Sequence, residues 1–152
     1  MKRLVVIILF VINVANAQDK IPFIDYDEIQ PQIEKSTKEK DYAKALSLIN
    51  KINKNDSMYF PLLSSKSSYL LQLKKFDAAL QVSEEGIQAN HSHSKVAFYN
   101  NKALALTNLK KYDQALQTYN EAIKIYSKNY LLWFNKGEVL ETQDKINQAL
   151  EA

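Results

Sequence analysis
The chain contains no cysteine. That absence removes disulfides, thiolate metal sites and cysteine nucleophiles together, so an exported form must hold itself together by packing alone. Glycine and proline are nearly missing too, with two and three residues in 152. A β-sandwich or barrel needs turn residues about every eight to twelve positions, and these residues cannot supply them. Nor can Gly86 and Gly137, the only two glycines, form a phosphate-cradling loop. Histidine occurs only at positions 91 and 93, and the sole arginine is Arg3. No block of five or six like charges is present, so the sequence pI of 8.9 marks no electrostatic footprint for nucleic acid.

One long apolar run does occur, at the start. Lys2 and Arg3 precede the unbroken stretch Leu4 to Ile12, and Ala15-Asn16-Ala17 is a small-x-small cleavage signature. This order is that of a secretory signal peptide (1–17), with Gln18 expected as the new terminus. From Leu4 to Ala15 a helix rises only about 18 Å, short of the roughly 30 Å hydrocarbon core, so a membrane span is disfavoured. A buried N-terminal helix would leave Lys2 and Arg3 without a purpose. No cysteine follows the run to carry a lipid. The segment holds two of the 20 basic residues and none of the 17 acidic ones, leaving 18 against 17, a net of +1. The abundance of Lys, Asn and Ile suggests an AT-rich bacterial genome, and the expected location is periplasmic or secreted.

What remains repeats itself. Four segments align: Lys40-Asp-Tyr42-Ala-Lys-Ala45-Leu46, Lys75-Phe76-Asp-Ala-Ala79-Leu80, Lys111-Tyr112-Asp-Gln-Ala115-Leu116 and Lys145-Ile146-Asn-Gln-Ala149-Leu150. Their alanines stand 34, 36 and 34 residues apart, a period that signals a stacked array. Within a repeat the apolar residues fall into two helical stripes. Tyr99, Ala103, Leu106 and Leu109 make one; Tyr112, Ala115, Leu116, Tyr119, Ala122, Ile123 and Tyr126 make the other. Helix pairs are predicted at 26–39/42–54, 60–74/76–89, 96–109/112–126 and 130–142/145–152, after a linker at 18–25. Asp77 and Asp113 fall in first turns, where the macrodipole favours an acid.

This period and helix pairing resemble the tetratricopeptide repeat, over 26–152. Trp133-x₂-Lys136-Gly137-x₂-Leu140 with Ala149, Tyr99-x₂-Lys102-Ala103-x₂-Leu106 with Ala115-x₃-Tyr119, and Leu63-x₂-Lys66-Ser67-x₂-Leu70 with Ala79 carry the likeness. Ser67, Ala103 and Gly137 are expected where a first helix meets its second, and Gly86 and Ala122 where the next repeat docks. Repeat one departs from the pattern, with Ile33 and Ile52 at small positions and Pro31 inside its first helix, as suits an end unit. The resemblance implies an all-α, right-handed α-solenoid of about three and a half to four antiparallel helix pairs, at 26–59, 60–95, 96–129 and 130–152. The last of these is incomplete, through truncation of a longer array or completion by another chain.

Chemistry is hard to find. His91 and His93 could offer two imidazoles, but no Cys and no nearby acid completes a metal site, and a solvated loop is the preferred reading. Glu84 and Glu85 point in different directions on a helix; Glu138 and Glu141 share a face but read as surface charge or a partner contact. Asn55-Asp-Ser57 and Asn90-His-Ser92 fit a glycosylation sequon that a bacterial protein normally leaves silent. No catalytic residue, metal site or cofactor is expected, and the chain does not read as an enzyme.

The resemblance instead implies a concave groove lined by first helices, holding a peptide or partner protein. Mapped onto this sequence, the groove would present Ser64, Ser68, Asn100, Asn101, Leu104, Asn108, Phe134, Asn135, Glu138 and Glu141. Asn101 and Asn135 recur at one place and form an amide ladder suited to a peptide backbone, or serve only to cap and solvate the helices. Ser64, Ser68 and Ala97 stand where the family clamps a C-terminal carboxylate with Lys, Asn and Arg, which disfavours that ligand. The alternative is a structural subunit that self-associates through its repeats, the last above all. No nucleic-acid partner and no stable membrane span after cleavage are expected.

Overall fold
Where apolar residues recur at steps of three and four, the backbone is helical. In a computed structural model, which describes residues 24–89 and 95–151, seven helices follow one another: α1 (Tyr26–Lys38), α2 (Tyr42–Ile49), α3 (Tyr59–Gln72), α4 (Phe76–Gln88), α5 (Val96–Asn108), α6 (Tyr112–Ile125) and α7 (Tyr130–Glu151). Among the described residues there is no strand, only an isolated parallel bridge between Ile24 and Ile52. Each helix packs on the next, and α3 also packs on α5. The all-α solenoid of stacked hairpins is the observed architecture. The segment expected to be a signal peptide, most of the predicted linker and the loop with His91, His93 and the second sequon lie outside the described residues.

The hairpin turns are made without glycine. Lys40, Lys74 and Lys110, each five residues before its repeat's alanine, adopt left-handed backbone with φ of 58°, 56° and 60°. The following N–H then reaches back five residues, Asp41 to the Ser36 carbonyl, Lys75 to Leu70 and Lys111 to Leu106, at 2.8, 2.8 and 2.9 Å. This is the Schellman closure, which satisfies carbonyls that a helix end would otherwise orphan. A side chain in that conformation costs roughly 1–2 kcal/mol that glycine avoids. Lys74→Gly should therefore raise stability by about 1 kcal/mol, roughly 3–5 °C in Tm by thermal denaturation. An unchanged or lower Tm would mean the lysine stem contributes as much as its backbone strain costs.

Two predicted helices differ. The second was expected to reach residue 54, but α2 stops at Ile49. Downstream, Asn53 Oδ1 accepts the Asn55 N–H at 2.9 Å and Asp56 Oδ1 accepts the Met58 N–H at 2.7 Å. Such short side-chain-to-backbone bonds compete with helix continuation, and Ile52 is drawn into the bridge with Ile24. The fourth hairpin does not turn at all: α7 runs unbroken from Tyr130 to Glu151 instead of breaking between 142 and 145. Asp144 holds the place of the three left-handed lysines. It stays helical, and the unbroken helix sets Gln143 Nε2 2.9 Å from Asp113 Oδ1 on α6. Gly137 accordingly has no atom within 4 Å of where a Cβ would stand. Its counterparts Ser67 and Ala103 are fully buried, so the expected close crossing exists in repeats two and three and not at Gly137.

Three apolar clusters run along the stack. Ile29, Ile33, Leu48, Ile49, Ile52 and Leu62 fill the first, so the large residues at the small positions of repeat one are core. Phe60, Leu63, Leu70, Ala79, Val82, Phe98 and Ala105 form the second, and Ala103, Leu106, Ala115, Tyr119, Ala122, Leu132 and Val139 belong to the third. Gly86 joins repeats as predicted. A Cβ there would clash with Cδ1 and Cε1 of the Phe98 ring on α5, and that ring is itself tilted against Phe60 with centroids 5.3 Å apart.

Candidate functional site
The first helices of successive repeats are joined laterally by side-chain hydrogen bonds. Between α1 and α3, the Tyr69 and Thr37 hydroxyls are 2.7 Å apart, and Tyr69 stacks on Tyr42 at 5.6 Å. From α5 to α3, Asn101 Nδ2 donates to Ser67 Oγ at 2.7 Å and to the Ser64 carbonyl at 3.3 Å. From α7 to α5, Asn135 Nδ2 donates to Asn100 Oδ1 at 2.6 Å. Asn101 and Asn135 are only 7% and 8% exposed. The ladder of amides therefore exists, but it holds helix to helix. An unpaired buried carboxamide would be costly, and these partners remove that cost.

Beside this seam lies an open cleft of about 540 Å³. Ser64 and Ser68 on α3, Asn100 and Asn101 on α5, and Leu131 on α7 line it, together with Ser65, Tyr69, Val96 and Ala97. Four of the ten predicted groove residues thus meet in one place. None of the described lining residues is charged, so the cleft offers hydroxyls, amides and small apolar surface. Leu131 was missed, although it stands 34 residues after Ala97, and the repeat register alone could have placed it.

The other six sit elsewhere or serve the scaffold. Leu104 is half-buried, and its carbonyl accepts from Asn108 Nδ2 at 2.8 Å. Asn135 is in the seam. Phe134 is 61% exposed, and Glu138 and Glu141 lie exposed on the same helix, α7. This helix also exposes Tyr130 (81%) and Trp133 (50%), whose Nε1 donates to the Ser127 carbonyl at 3.0 Å. Trp133, although it carries the family likeness, thus lies outside the core. Among the described residues no group of three or more His, Cys, Asp or Glu could hold a metal, and no helix is long and apolar enough to cross a membrane.

Behind the seam, Tyr119 is wholly buried and its hydroxyl has no hydrogen bond of sound geometry. Burial raises its pKa strongly; the nearby Asn135 amide opposes this and Glu138 adds to it. Tyr26 and Tyr59 shift upward as well, through burial first and neighbouring carboxylates second. For a phenol held neutral in the native state, stability is intact below the unfolded pKa near 10 and falls as pH rises beyond it. Urea denaturation at about pH 8 and about pH 11 should show the loss, and Tyr119→Phe should remove most of it. If the phenylalanine variant loses as much stability as the parent, the alkaline sensitivity lies in other groups.

Residues 96–129, which span α5 and α6, match the family model of the tetratricopeptide repeat. No curated protein matches the chain at significant similarity.

Proposed function
Because the chain is a tetratricopeptide repeat protein, we propose that it is a non-catalytic binding module whose α3–α5–α7 cleft holds an extended, largely uncharged stretch of another polypeptide. Repeats of this family generally mediate protein–protein interaction. The observation that carries the reading is the uncharged lining of the cleft, where Ser64, Ser68 and Asn100 face an open volume beside Leu131. Hydroxyls and a carboxamide match the alternating donors and acceptors of a peptide backbone, and Leu131 and Val96 suit small apolar side chains. The start of the sequence supports an exported setting, periplasmic or secreted.

The double change Asn101→Ala with Asn135→Ala is a poor test of this site, because both amides brace the scaffold. Ala97→Arg with Ser68→Tyr fills the cleft from its rim and leaves the seam intact. Partners cross-linked in the source cell and identified by mass spectrometry should be captured at least about tenfold less by this variant, with unchanged helical circular dichroism. Full capture would place the site outside the cleft. The exported setting predicts a mature protein beginning at Gln18, and an intact mass retaining residues 1–17 would contradict it.

A second reading, association of copies, is favoured by one feature. α7 exposes Tyr130, Leu131, Trp133, Phe134, Leu140 and Ile146, more apolar surface than a helix normally leaves in water. Sedimentation across a concentration series should then show reversible self-association that Trp133→Ser with Phe134→Ser reduces. A species that stays monomeric at every concentration would remove this reading.

A further inference from the structure
Lys66, Lys102 and Lys136 occupy one place in three successive first helices, each just before the small residue Ser67, Ala103 or Gly137. Their surroundings differ. Lys102 is paired, its Nζ 3.1 Å from Glu84 Oε1 on α4. Lys136 stands over the Trp133 ring, 5.7 Å from the centroid. For Lys66, no carboxylate among the described residues lies at ion-pair distance. The acid that influences it most, Glu85, accepts the Tyr59 hydroxyl at 3.2 Å. Counting back 34 residues from Glu84 gives Asn50, a neutral amide.

At Lys66 the place of that missing carboxylate is hollow. A cavity of about 390 Å³ opens there, with Ile49, Ile52 and Tyr59 as its apolar lining and Asn50, Asn53, Lys54, Asn55 and Lys66 as its polar one. It exists because α2 ends at Ile49, whereas α4 continues to Gln88 and carries Glu84 into contact with Lys102. Residues 50–55 take a non-helical path instead, turned by the bond from the Asn55 N–H to Asn53 Oδ1. Burial lowers the Lys66 pKa below its ordinary value and Lys54 pushes the same way, against the opposing pull of Glu85. Two lysines and three asparagines thus line one hollow on an apolar floor, with no acid among its described lining residues, and the polar groups they bring are suited to an anion.

We infer that this cavity binds a carboxylate presented by another molecule, set where the Glu84 carboxylate sits one repeat later. The size suits a carboxylate with a short stem. The cavity shares no residue with the α3–α5–α7 cleft, so the inference stands whether or not that cleft holds a peptide.

The test follows lysine Cε and Nζ signals by NMR in the labelled protein during titration with three probes. These are N-acetyl-aspartate N-methylamide, succinate and inorganic phosphate. Either carboxylate should shift Lys66 and Lys54 saturably and leave Lys102 in place. Tighter binding of the aspartate mimic would assign the carboxylate to a polypeptide side chain, and tighter binding of succinate to a free small acid. Lys66→Met should weaken the binding about tenfold or more. Asn50→Glu supplies the carboxylate from the chain itself, so it should raise the Lys66 pKa and abolish probe binding. Saturation by phosphate alone, uniform drift of all lysines, no saturable shift, or full probe binding by Asn50→Glu would each overturn the inference.

Discussion
Gly86→Val should destabilise the protein by about 3 kcal/mol or more and divide its unfolding into two steps. Glycine inside a helix costs about 1 kcal/mol relative to alanine, so on propensity alone a replacement would help. The tertiary contact decides otherwise, because even a Cβ would enter the Phe98 ring. Phe98 cannot swing aside: it is buried and braced by Phe60. The clash falls at the α4–α5 contact, which joins the second repeat to the third. Stacked repeats are stabilised mainly by neighbour interfaces, so weakening one should uncouple the halves on either side. Urea denaturation followed by circular dichroism should show a biphasic curve in place of a single transition. Gly86→Ala should behave in the same direction with a smaller loss, since the propensity gain offsets part of the clash. A more stable alanine variant would show that Phe98 can move.

Ala115→Phe is the second large effect. Ala115 is fully buried at the crossing of α5 and α6, and Ala103 and Leu106 belong to the same cluster. A phenyl ring there must part the hairpin, and overpacking of this kind costs about 1–3 kcal/mol. Thermal denaturation should show a fall of roughly 5–10 °C. Lys128→Ala, at an exposed position in the loop before α7, should be near neutral. Equal melting shifts for the two substitutions would mean that the repeat register is wrong.

The residues that announce the hairpins are those whose environment is set locally. Ala79 and Ala115, the small Ser67 and Ala103, and the first-turn acids Asp77 and Asp113 stand where the period predicts. The candidate cleft was half legible for the same reason: register puts Ser64, Ser68, Asn100 and Asn101 on one side of the first helices. Register cannot tell whether a carboxamide faces water or a neighbour. Asn101 and Asn135 turned out to bind the adjacent helix because Ser67 Oγ and Asn100 Oδ1 lie within reach. Those distances are products of stacking and of no local pattern.

The sequence by itself determined the first three helix pairs, their period, the close contact at Gly86 and the lack of thiol chemistry, since each rests on residue type and spacing along one chain. Only the structure decided where α2 and α7 stop. α2 ends early because Asn53 and Asp56 capture backbone N–H groups and Ile52 meets Ile24. α7 stays unbroken past Asp144, where Gln143 reaches Asp113, while Lys40, Lys74 and Lys110 accept left-handed backbone in turns closed by returning helices. The Asn53 and Asp56 bonds are local, but the Ile24–Ile52 bridge and the Gln143–Asp113 bond join residues far apart in the chain, and no window of sequence contains both sides of those contacts.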